Sequence, residues 1–92
     1  MNDVDVTVKL FGNLRKLRGA ARVDLQAGSI RQALLVLCEG NEALWEAITD
    51  GEKLLPFVKV MLNGHDITLL EGLDTHLAPG DQIAIFPPIA GG

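Results

Sequence analysis

Ser29-Ile30-Arg31-Gln32-Ala33-Leu34-Leu35-Val36-Leu37-Cys38-Glu39-Gly40 is the stretch on which the fold turns. Ser29 followed three residues later by Gln32 has capping-box spacing, so a helix begins here. Ile30, Ala33, Leu34, Leu37 and Cys38 then recur at i, i+3, i+4, i+7 and i+8, a full stripe facing a core. Gly40 stands where a helix end often takes a left-handed residue. A helix with so continuous an apolar face needs a layer to pack on.

The flanking sequence supplies that layer. Upstream, Val4, Val6, Val8 and Leu10 alternate with Asp5, Thr7 and Lys9, the period-2 pattern of a strand with one buried face. Gly12-Asn13 breaks the run. Arg22 to Gln26 repeats the alternation, with Val23 and Leu25 pointing one way. These two strands read as an antiparallel hairpin joined by a loop containing Arg15, Lys16 and Gly19.

Downstream, Asn41 to Ile48 reads as a second, shorter helix with Leu44 and Ile48 on one face, ended by Asp50-Gly51. Phe57 to Leu62 reads as a strand, Val58, Val60 and Leu62 on one side and Phe57, Lys59 and Met61 on the other. Asn63-Gly64 is the strongest hairpin turn in the chain, since both positions tolerate positive φ. His65 to Thr68 is then the short return strand. Leu69 to Leu77 is irregular around Gly72, and Pro79-Gly80 forms a turn. Gln82 to Phe86 is the last strand, with Ile83 and Ile85 on one face and Ala84 and Phe86 on the other.

Two hairpins around one amphipathic helix describe an α+β domain of the β-grasp type, a mixed sheet of about five strands around one main helix. The last strand is expected to run parallel to the first, because a helical crossover separates the hairpins. Residues 1–86 form this domain, and residues 87–92 form a flexible C-terminal tail.

Composition narrows the function. Ninety-two residues make one core, and 48% apolar residues suffice to build it, mostly from aliphatic side chains because only three Phe and one Trp are present. A net charge of −4 argues against nucleic acid as a partner. Cys38 is the single cysteine, so no internal disulfide forms, and its place on the helix stripe marks it as core rather than a sulfur relay. Asp3, Asp5, Lys9, Arg15 and Lys16 interrupt any signal-like run, and no stretch reaches the ~18 apolar residues of a membrane span. A soluble, cytoplasmic protein without a membrane partner is expected. His65 and His76 have no ligand spacing around them, so no metal site is expected. With no Ser-His-Asp or Cys-His set, the chain reads as a substrate of enzymes rather than an enzyme.

The tail carries the functional signal. Pro87-Pro88-Ile89-Ala90-Gly91-Gly92 begins with two residues that end the strand and stiffen the exit. Six extended residues span about 20 Å, enough to reach deep into another protein. Gly91 and Gly92 lack a Cβ, so the backbone passes through a narrow channel. The end supplies a main-chain carboxylate on a thin probe, a group that an adenylating enzyme can activate and a sulfur nucleophile can convert to a thiocarboxylate. A frayed end that happens to finish in glycine is the plain alternative; two glycines in a row arise by chance about 0.5% of the time.

The run Gly80-Asp81-Gln82-Ile83-Ala84-Ile85-Phe86-Pro87-Pro88-Ile89-Ala90-Gly91-Gly92 resembles the C-terminal signature of the ubiquitin-like sulfur carriers, in particular the small subunit of molybdopterin synthase. Phe11-Gly12-Asn13-Leu14-Arg15-Lys16-Leu17-Arg18-Gly19 is similar to that family's segment after its first strand. The resemblance implies an E1-like adenylating enzyme that uses ATP, no cofactor bound to the carrier itself, and a large synthase subunit or other sulfur-accepting enzyme. It implies that Gly92, with Gly91, is the reacting end. Phe86 resembles the family's aromatic partner contact, Pro87, Pro88, Ile89 and Ala90 follow it into the partner, and Arg15 falls where a basic residue meets the activating enzyme. Phe11, Met61 and Ala84 join Phe86 as the apolar centre of a docking patch.

The segment from Leu55 to Ile67, with Leu70 to Thr75, is longer than in the shortest molybdopterin-type carriers. It looks more like relatives that feed cysteine biosynthesis, or archaeal members that also modify proteins. The preferred reading is the molybdopterin synthase small subunit, in molybdenum cofactor biosynthesis. A carrier for cysteine or methionine synthesis, a ubiquitin-like protein modifier, and a β-grasp interaction module with an inert tail are the alternatives; the resemblance to thiamin-type carriers, usually shorter still, ranks lower.

Overall fold

In the computed structural model, which describes residues 3–88, the first alternating run becomes β1 (Val4–Leu10), with Val6, Val8 and Leu10 buried on one face. β2 (Arg22–Ala27) lies antiparallel to it, Leu25 opposite Val6 and Val23 opposite Val8. β5 (Gln82–Phe86) runs parallel to β1 on its other side, Ile83 opposite Val8 and Ile85 opposite Leu10. β3 (Lys59–Leu62) pairs antiparallel with β5, and β4 (His65–Asp66) closes the far edge. The order β2-β1-β5-β3-β4 is the expected mixed five-stranded sheet, with its parallel pair between two hairpins.

The described residues form three α-helices. Of these, α2 (Ile30–Leu37) is the main one and lies on the sheet through the buried side chains of Ile30, Ala33, Leu34 and Leu37. Its start is held reciprocally: Ser29 Oγ accepts from the Gln32 N–H at 3.2 Å, and Gln32 Oε1 accepts from the Gly28 N–H at 2.8 Å. The Gln32 side chain thus reaches one residue further back than in the usual box. In α3 (Glu42–Ile48) Leu44 and Ile48 are fully buried, and Asn41 Oδ1 accepts from the Leu44 N–H at 3.0 Å. Cys38 lies with them in the core.

The chain departs from the sequence reading in three places. The loop expected between β1 and β2 is instead α1 (Asn13–Arg18). Leu14 is fully buried and Leu17 packs on the core, so two leucines at i, i+3 give one helical turn an inward face. Gly19 at φ 83 ends that turn by donating its N–H to the Arg15 carbonyl, and Asn41 Nδ2 ties it to α3 through the Leu17 carbonyl at 2.9 Å.

Phe57, expected inside the third strand, sits in a turn two residues before it. The Val58 N–H donates to the Leu55 carbonyl at 3.2 Å, with Pro56 and Phe57 at the turn's centre and Phe57 at φ 69. That is the type II arrangement, which needs positive φ at its third residue. The return strand is two residues long rather than four. Asp66 Oδ1 accepts from both the N–H and the hydroxyl of Thr68 at 2.9 Å, which winds Ile67–Leu69 into a 3-10 turn. A second such turn, Gly72–Asp74, lies in the stretch expected to be irregular, and the buried Thr75 pins it by donating its hydroxyl to the Gly72 carbonyl at 2.7 Å.

The helix start is the one cap here built from both directions. Replacing Ser29 by Ala is expected to cost about 1 kcal/mol, read as a lower urea midpoint at an unchanged slope. An unshifted midpoint would show that the Gln32–Gly28 bond alone holds this end.

Candidate functional site: the open sheet face and the exit of the chain

One face of the sheet is covered by α2. On the other, β3 and β5 place Met61 opposite Ala84 and Lys59 opposite Phe86. Phe11, the residue after β1, stacks its ring on that of Phe86, with centroids 4.4 Å apart and planes 12° from parallel. Both rings stay more than a third exposed, at 38% and 37%. Two large aromatic side chains are therefore packed against each other and still face solvent, an arrangement that fits an interface better than a core.

The backbone then turns off this platform. The Phe11 N–H donates to the Ile85 carbonyl at 3.2 Å, which brings Gly12 up to Pro87. A Cβ at Gly12 would lie 2.8 Å from Pro87 Cγ, and Gly12 itself has φ 60. Only glycine suits both conditions, so Gly12 forms the seat on which Pro87 rests. Pro88 stands between two apolar grooves. One lies on the sheet face and is lined by Met61, Ala84, Phe86 and Pro87; the other runs along Leu54, Val58, Val60, Ile67 and Thr68. Phe57, 87% exposed, is the wall they share.

Around the rim, Lys59 Nζ lies 3.2 Å from Asp66 Oδ2. The Thr68 N–H, the Thr68 hydroxyl and this ammonium group hold the Asp66 carboxyl below the usual carboxylate range. The pair is solvent-facing, so it orients the edge of the groove more than it stabilises the fold.

The structure thus brings Phe11, Met61, Phe86, Pro87 and Pro88 together at one edge of the sheet. Arg15 is exposed on α1, its Nε 3.5 Å from the Gly12 carbonyl, on the flank of that edge. Ile89, Ala90, Gly91 and Gly92 lie outside the described residues. The sequence reading missed Phe57 as a member of this surface. Pro56 before it was a signal for a turn, since proline presets the φ of a turn's second position, but not for the positive φ that Phe57 takes.

Cys38 belongs to the core. It is 6% exposed, and burial pushes its thiol up to about 11 against the opposing pull of the Arg18 guanidinium. Among the described residues no three of His, Cys, Asp and Glu are grouped to hold a metal ion. No helix among them is long and apolar enough to cross a membrane. The site consists of an apolar, aromatic platform and a proline-stiffened chain leaving its edge. Such a surface suits recognition of another protein.

Known proteins share this architecture. The model of the ThiS family matches residues 8–92. Small archaeal modifier protein 3 of Haloferax volcanii is 30% identical over 95 residues, covering 97% of this chain and 100% of its own. The sulfur carrier protein CysO of Mycobacterium tuberculosis is 32% identical over 94 residues, 97% of this chain and 100% of its own. Among solved structures, small archaeal modifier protein 1 of Methanosarcina acetivorans superposes with a TM-score of 0.89 at 34% identity, over 100% of both chains. A chain of the Amycolatopsis orientalis BexX/CysO complex gives 0.84 at 26% identity, over 95% of this chain and 99% of that one. A Pyrococcus furiosus protein solved as a putative molybdopterin converting factor, subunit 1, shares the fold with a TM-score of 0.72 at 22% identity, over 94% and 99%.

Two measurements probe the site. Gly12→Ala is expected to lose at least about 1–2 kcal/mol from the left-handed backbone alone, with amide shifts in NMR spectra centred on Pro87 neighbours such as Phe11 and Phe86. Unmoved signals there would dissociate Gly12 from the exit path. The thiol of Cys38 is expected to resist alkylation in the native protein at pH 8 and to react on denaturation. Because its folded pKa is raised above the ordinary value, its contribution to stability is full below pH 9 and declines as pH rises towards 11. Rapid native labelling at pH 8 would overturn the buried, protonated state.

Proposed function

The chain belongs to the ThiS family, and on that premise we propose that it is a sulfur carrier whose reacting group is the terminal carboxylate of Gly92. The observation that carries the reading is the exit geometry. Pro87 is seated on Gly12 beside the Phe11–Phe86 stack, so the backbone leaves the domain next to the surface on which an enzyme would dock.

In the proposed cycle an E1-like enzyme binds ATP, while the carrier itself holds no cofactor. A Gly92 carboxylate oxygen attacks the α-phosphorus, a P–O bond forms and pyrophosphate leaves, giving an acyl-adenylate. Hydrosulfide then attacks the acyl carbon, the C–O bond to AMP breaks, and loss of a proton leaves a thiocarboxylate. A second enzyme accepts the sulfur. The carrier's own contribution is positional: the apolar platform supplies affinity, and Gly91 and Gly92 let the end enter a narrow site. Activating and accepting enzymes use the same face and so bind in turn.

Pathway assignment is a finer step. The expected acceptor, the large subunit of molybdopterin synthase, has beside it the fold-level likeness to the Pyrococcus furiosus protein. The matches at 30% identity or more to the sulfur carrier CysO and to archaeal modifiers favour the other branch that the long Leu55–Ile67 segment pointed to. A second reading comes from the modifiers: the activated Gly92 forms an isopeptide bond to a lysine instead of receiving sulfur.

Intact-mass spectrometry after incubation with a candidate E1-like enzyme, ATP and sulfide tests the proposal. The expected product has sulfur in place of one oxygen and is absent when Gly91 and Gly92 are deleted, a truncation expected to leave the urea midpoint unchanged. No mass gain, with the enzyme active on its own known carrier, would count against sulfur loading by that partner. Lysine adducts with no sulfur product would select the modifier reading. Phe86→Asp is expected to weaken binding to the activating enzyme by about tenfold or more with little change in the midpoint; unchanged affinity would remove Phe86 from the interface.

A further inference from the structure

Charge is not spread evenly along this chain. Residues 32–52 hold Glu39, Glu42, Glu46, Asp50 and Glu52 and no lysine or arginine, a net of −5 in a protein whose total is −4. The remainder of the molecule nets +1. These carboxylates lie on α3 and in the turns on either side of it, beyond the C-terminal end of α2, which itself carries only the charged residue Arg31.

The same region carries apolar surface. Leu35 is 52% exposed and Val36 40%, both on the outward face of a helix whose inward stripe is already complete. Trp45, half-buried on α3, lies beside Leu35, and the two residues line a pair of adjoining depressions. One extends towards Glu39 and Glu42, the other towards Glu52 and Leu73. The single cation in the lining, Arg31, is occupied by Asp74 at 3.0 Å. Single exposed leucines are ordinary on protein surfaces; an apolar trough between two helices with carboxylates at both ends is not.

We propose that the Leu35–Trp45 trough is a second docking surface, and that its occupant is a cationic amphipathic helix of a partner protein. The chemistry selects that class. A strand is disfavoured because α2 and α3 present side chains and no free sheet edge. An apolar helix stripe fits between Leu35 and Trp45, and flanking Lys or Arg side chains meet Glu39, Glu42 and Glu52, which also steer the encounter. Because α2 and the sheet separate this trough from the Phe11–Phe86 platform, both faces can be engaged at once. The proposal does not depend on the chemistry of Gly92.

Trp45 is the chain's only tryptophan, so its emission reports from inside the trough. The probe is a synthetic leucine–lysine peptide of about 14 residues, long enough to form one amphipathic helix. Titration is expected to give a saturable, one-to-one change in Trp45 emission. Leu35→Asp is expected to weaken the interaction at least about tenfold, although it adds a negative charge. Glu39→Lys with Glu42→Lys is expected to weaken it too, while Phe86→Asp leaves it unchanged. Circular dichroism and urea midpoints confirm that the variants, all at exposed positions, are folded. If Leu35→Asp binds as tightly as the parent or tighter, the attraction is charge alone and the proposal fails. It fails equally if Phe86→Asp abolishes binding, which would place the peptide on the sheet face, or if no saturable change occurs.

Discussion

Parallel neighbours finish at the same edge of a sheet. The pairing of Leu10 with Ile85 at the centre of this one therefore delivers Phe86 beside Phe11 and Pro87 beside Gly12. An antiparallel β5 would have sent the chain end to the opposite edge, away from α1 and the aromatic stack. The parallel pairing in turn requires a crossover, and α2 supplies it by covering the face where Val6, Val8, Leu10, Ile83 and Ile85 are buried. Core and exit are thus consequences of one topological choice. Along β5 the last buried side chain is Ile85, directly before Phe86 of the platform, so surface chemistry there can vary without opening the interior.

Phe57 shows where the fold bears a cost for its surface. A bulky side chain at φ 69 is destabilised by about 1–2 kcal/mol relative to a right-handed conformation, and its ring gains almost no burial in return. A glycine would satisfy the same turn at no such expense. The turn tolerates the strain because Pro56 fixes the preceding φ and Val58 closes the hydrogen bond to Leu55. Strained positions of this kind concentrate where a surface is used, and Phe57 stands between the two grooves that flank Pro88.

Much of this was readable from the residues, and the parts that were not have physical reasons. Period-2 runs and the Ser29–Gln32 spacing fix β1, β2, β5 and α2, because burial on one face leaves no freedom of register. The Asn63-Gly64 hairpin is equally explicit, with φ of 50 and 86. The helix Asn13–Arg18 was hidden because six residues carry only one turn of pattern, and its stability comes from Leu14 entering a core built by distant segments. The shortened β4 depends on the Thr68 N–H donating to the Asp66 side chain rather than to a strand partner, a local competition that periodicity does not reveal. At the candidate site the sequence pointed to Phe86, Phe11 and Met61 by alternation and resemblance. It could not show that Gly12 matters through Pro87, a contact between residues 75 positions apart that only the β1–β5 register creates.

A surface that serves more than one partner in turn has to release each of them, which limits how much of it can be committed. The platform seen here is small: two stacked rings, a methionine, an alanine and two prolines, already packed against one another before any partner arrives. Preorganised aromatic contacts lose little conformational entropy on binding and so give specificity without requiring a large interface. A small preorganised patch suits contacts that form and break rather than a permanent interface. The carboxylates grouped on α3 and its flanking turns stand on the helical side of the domain, apart from that platform. The platform keeps short-range apolar contacts at its centre, with the basic residues of α1, Arg15 among them, on its flank, so contact and charge act there from different elements.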